Sequence, residues 1–141
     1  MALVADSGGI YGLYDSRDRH HAAIREVVNR KAQAIHIPAP LLGELGYMLF
    51  EWLGSGALVQ FLADVEGGAF QVEPFLMEDV HRCRELLATY ADLNLGLCDA
   101  AVVSTAERLG IDQILSVDER HFRTIRPASG KPFILLPADR H

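Results

Sequence analysis

The chain has 141 residues, half of them hydrophobic, and a formal net charge of −6, which argues against a protein that coats nucleic acid by bulk attraction. The length and apolar content fit one hydrophobic core, so we expect residues 1–141 to form a single domain. No apolar run approaches the roughly 20 residues that span a bilayer, and the first residues soon become acidic, which predicts a cytoplasmic protein with no secretory signal and no membrane partner.

The first predicted elements lead from a strand into a helix. Residues 2–5 are apolar without alternation, which is typical of a central strand covered on both faces, and this strand ends at Asp6. Residues 7–9 are predicted to turn into a short helical piece. Asp18 then predicts the start of a helix that reaches about Lys31. The inward side chains of that helix are expected to be Ala22, Ala23, Val27 and Val28.

A second strand and a strongly apolar helix follow. Residues 34–37 predict the strand, and Pro40 suits the first turn of a helix that runs to about Leu53. Glu44 lies in this helix beside its apolar face, where an unpaired charge is costly. Glu44 is therefore either a functional carboxylate or a side chain that reaches past the face to water.

The next helix, over residues 57–65, adds to an excess of apolar side chains. Together the two helices carry such residues on more than one face, which exceeds what a simple amphipathic pair needs. These residues are Phe50, Trp52, Leu53, Val59 and Phe61. We expect a partner surface here, with Phe50 and Trp52 among its contacts.

The second half of the chain continues to alternate between strand and helix. Predicted strands cover residues 69–72, 113–117 and 133–136, and predicted helices cover residues 77–90 and 97–109. Asp99 lies in the first turn of the later helix, where the helix dipole favours a carboxylate. Asp118 directly follows the predicted strand over residues 113–117. The alternation predicts an α/β sandwich with a mainly parallel central sheet.

Four acids are expected to meet at one edge of this sheet, outside the carboxyl ends of the strands, where ligands bind in such folds. They are Asp6, Glu44, Asp99 and Asp118. Like charges at short range raise one another's pKa values unless a cation neutralises them. Oxygen ligands without a His or Cys cluster favour Mg²⁺ or Mn²⁺ over zinc. Such an ion supports phosphodiester hydrolysis, which is therefore the leading chemistry.

Two serines and three arginines are candidates for supporting roles. Ser7 and Ser116 each lie close to a predicted site acid and could orient carboxylates or water, although an ordinary turn hydroxyl explains either one. The arginines could hold a polyanion through its phosphates, or they could simply form a solvated surface. They are Arg120, Arg123 and Arg126.

The order and setting of the four acids resemble a known family. Their local sequences are VADSG for Asp6, PAPLLGEL for Glu44, LGLCDAAVV for Asp99 and LSVDERHF for Asp118. This pattern resembles the acidic quartet of PIN-domain nucleases, closest to the VapC-type toxins of bacterial toxin–antitoxin pairs, over nearly the whole chain. The resemblance implies a three-layer α/β/α sandwich, Mg²⁺ or Mn²⁺ at the four acids, and cleavage of single-stranded RNA. It also implies inhibition by a small antitoxin and a homodimer.

The resemblance leaves one further acid and several alternatives open. Asp92 falls where relatives often have an acid, although a cap between helix and loop explains it as well. An aspartyl phosphatase is disfavoured because position 8 is Gly rather than a second Asp, and a phosphate-accepting receiver does not need Glu44 and Asp99 together. A PIN-fold binding or RNA-processing module without a toxin role would keep the partner surface and use the acids differently or not at all.

Overall fold

The computed structural model describes residues 2–30 and 34–139. The strands in these ranges are β1 (Ala2–Ala5), β2 (Ala34–Pro38), β3 (Gln71–Glu73), β4 (Gln113–Leu115) and β5 (Ile134–Leu136). The helices are α1 (Ser7–Tyr14), α2 (His21–Asn29), α3 (Leu41–Leu53), α4 (Ser55–Glu66), α5 (Met77–Thr89), α6 (Leu97–Leu109) and α7 (Glu119–Thr124). A 3₁₀ turn at Ala91–Leu93 precedes α6.

The five strands form one parallel sheet in the order β3-β2-β1-β4-β5. The central strand is β1, where Val4 pairs with His36 on one side and with Ile114 on the other. The chain moves outward from β1 to β3 and then crosses to the other side for β4 and β5. Because crossovers between parallel strands are right-handed, this reversal places helices on both faces of the sheet. The three-layer α/β/α sandwich expected from the sequence is confirmed.

The hydrophobic core lies between the sheet and its helices. Near β1, the starts of α6 and α1 lie close to the sheet. Leu3, Val4 and Ala5 are fully buried, as are Ala100 and Ala101 near the start of α6. These two small side chains let α6 lie close to the sheet. The first turn of α1 packs even more tightly.

A glycine makes that close packing of α1 possible. A Cβ atom on Gly9 would lie 2.4 Å from the carbonyl oxygen of Leu115, the last residue of β4. Any larger residue would push the start of α1 away from the sheet. The glycine therefore holds the residues that follow β1 against those that follow β4.

Helix α2 differs from its prediction in both position and exposed face. It begins at His21, because Asp18 stabilises the preceding turn by accepting a hydrogen bond from the backbone of His20. Ala22 is exposed, so the prediction that it faces inward was wrong. The predicted end near Lys31 lies outside the described residues. The fully buried side chains of this helix are Ile24 and Val27.

Other boundaries shift by a few residues, and two short elements were not predicted. Strand β3 runs from Gln71 to Glu73 instead of over residues 69–72, and β4 stops at Leu115 instead of at residue 117. Helix α7 and the 3₁₀ turn are too short to show an apolar period in the sequence. In the described ranges, no helix combines the length and the apolar character needed to cross a membrane.

Candidate active site

The candidate site lies at the carboxyl ends of β1 and its neighbour β4. Asp6 directly follows β1, and Asp118 lies three residues beyond the end of the neighbouring β4. Asp99 lies in the first turn of α6, and Glu44 lies in the first turn of α3. The structure brings these four acids together around one cavity of about 190 Å³. The other residues that line it are Ser7, Gly8, Leu41, Cys98 and Val117.

Asp6 is the most buried of the four acids, with only 7% of its surface exposed. Its Oδ1 accepts a hydrogen bond from the backbone of Gly9 at 2.8 Å, which caps α1. Its Oδ2 accepts one from the hydroxyl of Ser116 at 2.5 Å. The pKa of Asp6 is raised to about 7, mainly by burial and to a smaller extent by the carboxylates of Asp99 and Asp118, and the two hydrogen bonds oppose this rise.

Ser116 connects two of the four acids. While its hydroxyl donates to Asp6, the same oxygen accepts a hydrogen bond from the backbone N–H of Asp118 at 2.9 Å. Ser116 is itself 1% exposed. The side chain therefore fixes the position of Asp118 relative to Asp6, although 110 residues separate Ser116 from Asp6 in the sequence.

Asp99 faces the cavity from the start of α6. Its Oδ2 accepts a hydrogen bond from the backbone N–H of Gly96 at 3.2 Å, as part of the cap of that helix. Burial raises the pKa of Asp99, the carboxylates of Asp118 and Glu44 raise it further, and His121 and the Gly96 hydrogen bond lower it. A bound cation would stabilise the ionised form of such a carboxylate and so lower its pKa again.

Glu44 is more exposed than the aspartates and completes the opposite wall. It lies beside the thiol of Cys98. Burial raises the pKa of that thiol to about 12, and the Glu44 carboxylate contributes to the rise. Cys98 is therefore a protonated thiol near neutral pH when no metal ion is bound.

The structure adds a residue that sequence reasoning missed. His121, in α7, places its Nδ1 atom 2.8 Å from Asp118 Oδ2 and 3.6 Å from Asp99 Oδ2. One ligand atom from each of these three residues lies within 4.8 Å of the others. The sequence held one signal for it, since Asp118 and His121 are three residues apart and so share a face when the segment is helical.

The chemistry of the cavity fits a hard divalent ion. Four carboxylates converge where like charges would otherwise repel, and oxygen ligands are those that Mg²⁺ and Mn²⁺ prefer. The hydroxyl of Ser7, also in the lining, is buried and makes no hydrogen bond within the described part of the chain. A buried hydroxyl needs a partner such as a water or a ligand oxygen, and a hydrated ion or a phosphate supplies one.

The remaining predicted residues lie outside the cavity. Asp92 is exposed on the 3₁₀ turn and does not line it. Arg120 and Arg126 are exposed at and just beyond α7. Arg123, between them, contacts Glu119 Oε1 and Asp139 Oδ1, each at 2.7 Å. Arg123 is thus already engaged with carboxylates, whereas Arg120 and Arg126 expose their side chains to solvent.

Five apolar side chains of α3 and α4 are exposed, and we call this set the α3–α4 surface. Its members are 52–65% exposed and comprise Tyr47, Phe50, Trp52, Val59 and Leu62. Trp52 packs edge-on against Tyr11, with ring centroids 5.2 Å apart. Phe61 is not part of the surface, because it is buried against Tyr14 and Phe70.

Comparisons with known proteins agree with this fold. The structure is similar to the crystal structure of VapC20 of Mycobacterium tuberculosis, a toxin that cleaves the sarcin-ricin loop, with a TM-score of 0.76 and 19% identity over 83% of this chain and 90% of that one. It is also similar to VapBC2 of Rickettsia felis bound to a promoter DNA fragment, with a TM-score of 0.66 and 16% identity over 89% and 93%. At these identities the structures establish the fold alone.

Sequence comparison extends the likeness. The chain is 27% identical to ribonuclease VapC26 of Mycobacterium tuberculosis over 135 residues, which cover 96% of this chain and 100% of that protein. The sequence profile of the PIN domain matches residues 3–126. That match spans β1 to the end of α7 and includes all four acids of the cavity. The chain belongs to the PIN domain family.

Proposed function

We propose that this chain is a metal-dependent endoribonuclease that hydrolyses RNA phosphodiester bonds and acts as the toxin of a toxin–antitoxin pair. The observation that carries the proposal is the convergence of Asp6, Glu44, Asp99 and Asp118 on one cavity. The similarity to ribonuclease VapC26 along almost the whole chain supports RNA as the substrate. The apolar α3–α4 surface supports a protein partner.

In this proposal the four acids hold Mg²⁺ or Mn²⁺. Such an ion, when bound, lowers the pKa of a coordinated water, polarises a phosphoryl oxygen and stabilises the leaving oxygen. Asp6 and Asp118 provide a rigid part of the cradle, because Ser116 bonds to both. Asp99 is held by Gly96 at the start of α6. Glu44 is the most exposed of the four acids. In this proposal it faces the approaching RNA.

The other side chains in this proposal bind water or the phosphates of the RNA. The Ser7 hydroxyl, buried in the lining, would accept or donate a hydrogen bond to a water or a phosphate oxygen. Arg120 and Arg126 would contact phosphates of the bound strand, which positions RNA without reading its sequence. Because the chain carries a net charge of −6, these local contacts matter more than overall attraction.

The toxin role requires a partner that blocks the nuclease. We propose that a small antitoxin covers the α3–α4 surface, burying Phe50 or Trp52, and that the toxin is a homodimer in the cytoplasm, where its RNA substrate is found. An exposed apolar area of this kind is typical of a protein interface. The same α3 helix carries Glu44, so a segment bound there would also lie close to the cavity.

The test is to identify RNA ends produced in cells. The full chain is expressed briefly in a bacterial host, RNA ends are sequenced, and the pattern is compared with that from Asp99→Asn and from Asp92→Asn. We expect new ends and growth arrest with the wild type and with Asp92→Asn, which changes an acid outside the cavity, and neither with Asp99→Asn. RNA cleavage without growth arrest would instead favour an RNA-processing enzyme, and equal ends in all three would remove the assigned site.

A further inference from the structure

We propose that His121 supplies a nitrogen ligand to the divalent ion, so that the site has a mixed oxygen and nitrogen donor set that favours Mn²⁺ over Mg²⁺. The inference rests on the proposed function, because it concerns the cation that the four acids would hold. The sequence predicts oxygen ligands alone. The structure adds one imidazole to the same cluster.

The distances around His121 match those between ligands of one ion. Its Nδ1 lies 2.8 Å from Asp118 Oδ2 and 3.6 Å from Asp99 Oδ2. In an octahedral site with ligands at about 2.0–2.2 Å, adjacent donor atoms are about 3 Å apart and opposite ones about 4 Å apart. Both observed distances fall near this range, so one ion can bind all three atoms with only small side-chain adjustments.

The orientation of the ring favours a ligand over a simple ion pair. Nδ1 is buried and, although only 2.8 Å from Asp118, it does not have hydrogen-bonding geometry toward any described residue. A protonated nitrogen held by two carboxylates would be expected to point its N–H at one of them. A nitrogen that presents its lone pair to the same space as two carboxylates is instead suited to a shared cation.

The other ring nitrogen fixes that arrangement. Nε2 lies 3.2 Å from the carbonyl oxygen of Leu93, in the 3₁₀ turn. A carbonyl only accepts, so Nε2 carries the proton and Nδ1 has the free lone pair in the neutral ring. Histidines that bind metal ions commonly donate their second ring N–H to a backbone carbonyl in this way. The 3₁₀ turn therefore sets both the tautomer and the direction of the ring.

A nitrogen ligand changes which ion the site prefers. Mg²⁺ binds almost exclusively to oxygen, whereas Mn²⁺ accepts oxygen and also tolerates imidazole. Loss of His121 should therefore weaken the binding of Mn²⁺ more than that of Mg²⁺. The difference between the two ions distinguishes a ligand from a residue that merely supports the fold, since misfolding would affect both.

The decisive experiment is pulsed electron paramagnetic resonance on the full chain loaded with Mn²⁺. We expect coupling between the Mn²⁺ electron spin and a ¹⁴N nucleus in the wild type. The coupling should be absent in His121→Gln, whose amide keeps a donor toward Leu93, and present in His81→Gln. His81 is the matched control because it is an exposed histidine on α5.

Calorimetry on the same proteins gives a second readout. We expect His121→Gln to weaken Mn²⁺ binding by about tenfold or more while changing Mg²⁺ binding by much less, in line with the effects of altered metal surroundings. Bound Mn²⁺ without nitrogen coupling in the wild type would overturn the inference and leave the proposed nuclease intact. Coupling that persists in His121→Gln would also overturn it. No Mn²⁺ binding at all would reject both.

Discussion

Ser116 donates its hydroxyl proton to Asp6 at 2.5 Å and, through the same oxygen, accepts the backbone N–H of Asp118. One buried side chain therefore sets the spacing between two carboxylates that follow neighbouring strands. This relationship explains why β1 and β4 must pair in their observed register for the site to form, because a slip would separate Ser116 from Asp6.

The Ser116 hydroxyl is predicted to affect the metal site more than the fold. Ser116→Ala removes two hydrogen bonds at a buried position, so we expect a loss of about 1–3 kcal/mol in unfolding free energy and a roughly 10–100-fold weaker affinity for Mn²⁺. Thermal unfolding and calorimetry measure the two effects. Ser104→Ala is the control, since Ser104 is equally buried but bonds to Ala101 within α6. Equal Mn²⁺ affinity in both variants would contradict the assignment.

Asp6 is predicted to destabilise the metal-free protein at neutral and higher pH. Its pKa rises from an ordinary 3.8 to about 7 on folding, so the folded state holds an extra proton between those values. The contribution of this group to stability therefore falls as pH rises from about 4 to about 7, by up to about 1.4 kcal/mol per pH unit, and is level above that. Asp6→Asn removes the ionisable group while keeping an acceptor for Gly9.

Thermal unfolding in the presence of a chelator checks this prediction. We expect Asp6→Asn to melt at a higher temperature than the wild type at pH 8, and the advantage to shrink toward pH 5. Asp92→Asn should behave like the wild type at every pH, because Asp92 is exposed. An Asp6→Asn protein that is no more stable than the wild type at pH 8 would contradict a pKa of Asp6 raised by burial.

The affinity for Mn²⁺ should rise with pH, whereas the stability of the metal-free protein falls. A bound cation needs the ionised form of Asp6, whose pKa is about 7 in the absence of metal, so protons compete with Mn²⁺ below that pH. We expect Mn²⁺ to raise the unfolding temperature strongly at pH 8 and much less at pH 6. The measurement is a thermal unfolding series at fixed Mn²⁺ concentration. An equal shift at both pH values would contradict a role for Asp6 as a ligand.

The arginines in α7 and just beyond it are predicted to differ in their contribution to RNA binding. Arg120→Ala and Arg126→Ala should each weaken binding to single-stranded RNA and reduce the slope of log affinity against log salt by about 0.7. Arg123→Ala is the control, because Arg123 is occupied by Glu119 and Asp139. Binding would be measured with Asp99→Asn as the background to prevent cleavage. An Arg123→Ala effect as large as the others would contradict the distinction.

The α3–α4 surface is predicted to bind the antitoxin. Replacing Phe50 and Trp52 by Ala together should weaken binding of a co-expressed cognate antitoxin by at least about 1–2 kcal/mol, because exposed aromatic residues commonly dominate interfaces. Met77→Ala is the control, since Met77 is 79% exposed and belongs to α5, a helix outside the α3–α4 surface. Unchanged affinity in the double variant, measured by calorimetry, would place the antitoxin elsewhere.

The main architecture and the convergence of the four acids could be predicted from the sequence for a physical reason. Uninterrupted apolar strands alternate with helices, which predicts a parallel sheet, and each acid stands directly after a strand or near a helix start. Parallel strands all end at the same edge of a sheet, so these positions had to meet. The same logic predicted Ser7 and Ser116 beside the acids, and the structure places both at the cavity or in contact with it.

His121 could not be found in the same way. Its position depends on α7, which is only six residues long, and on a 3₁₀ turn that supplies the carbonyl of Leu93. Neither element has an apolar period that a sequence reveals. The exposed face of α2 was misassigned for a related reason, because Asp18 closes a turn instead of beginning the helix, which shifts the buried positions to Ile24 and Val27.

The most direct test of the account is the rate of RNA cleavage by the purified full chain and its Asp6→Asn and Asp99→Asn variants, each with Mn²⁺ and with excess chelator. We expect the wild type to cleave RNA only when the ion is present, and both variants to lose at least about 100-fold in cleavage rate. Undiminished cleavage by both variants, or full wild-type activity in chelator, would contradict it.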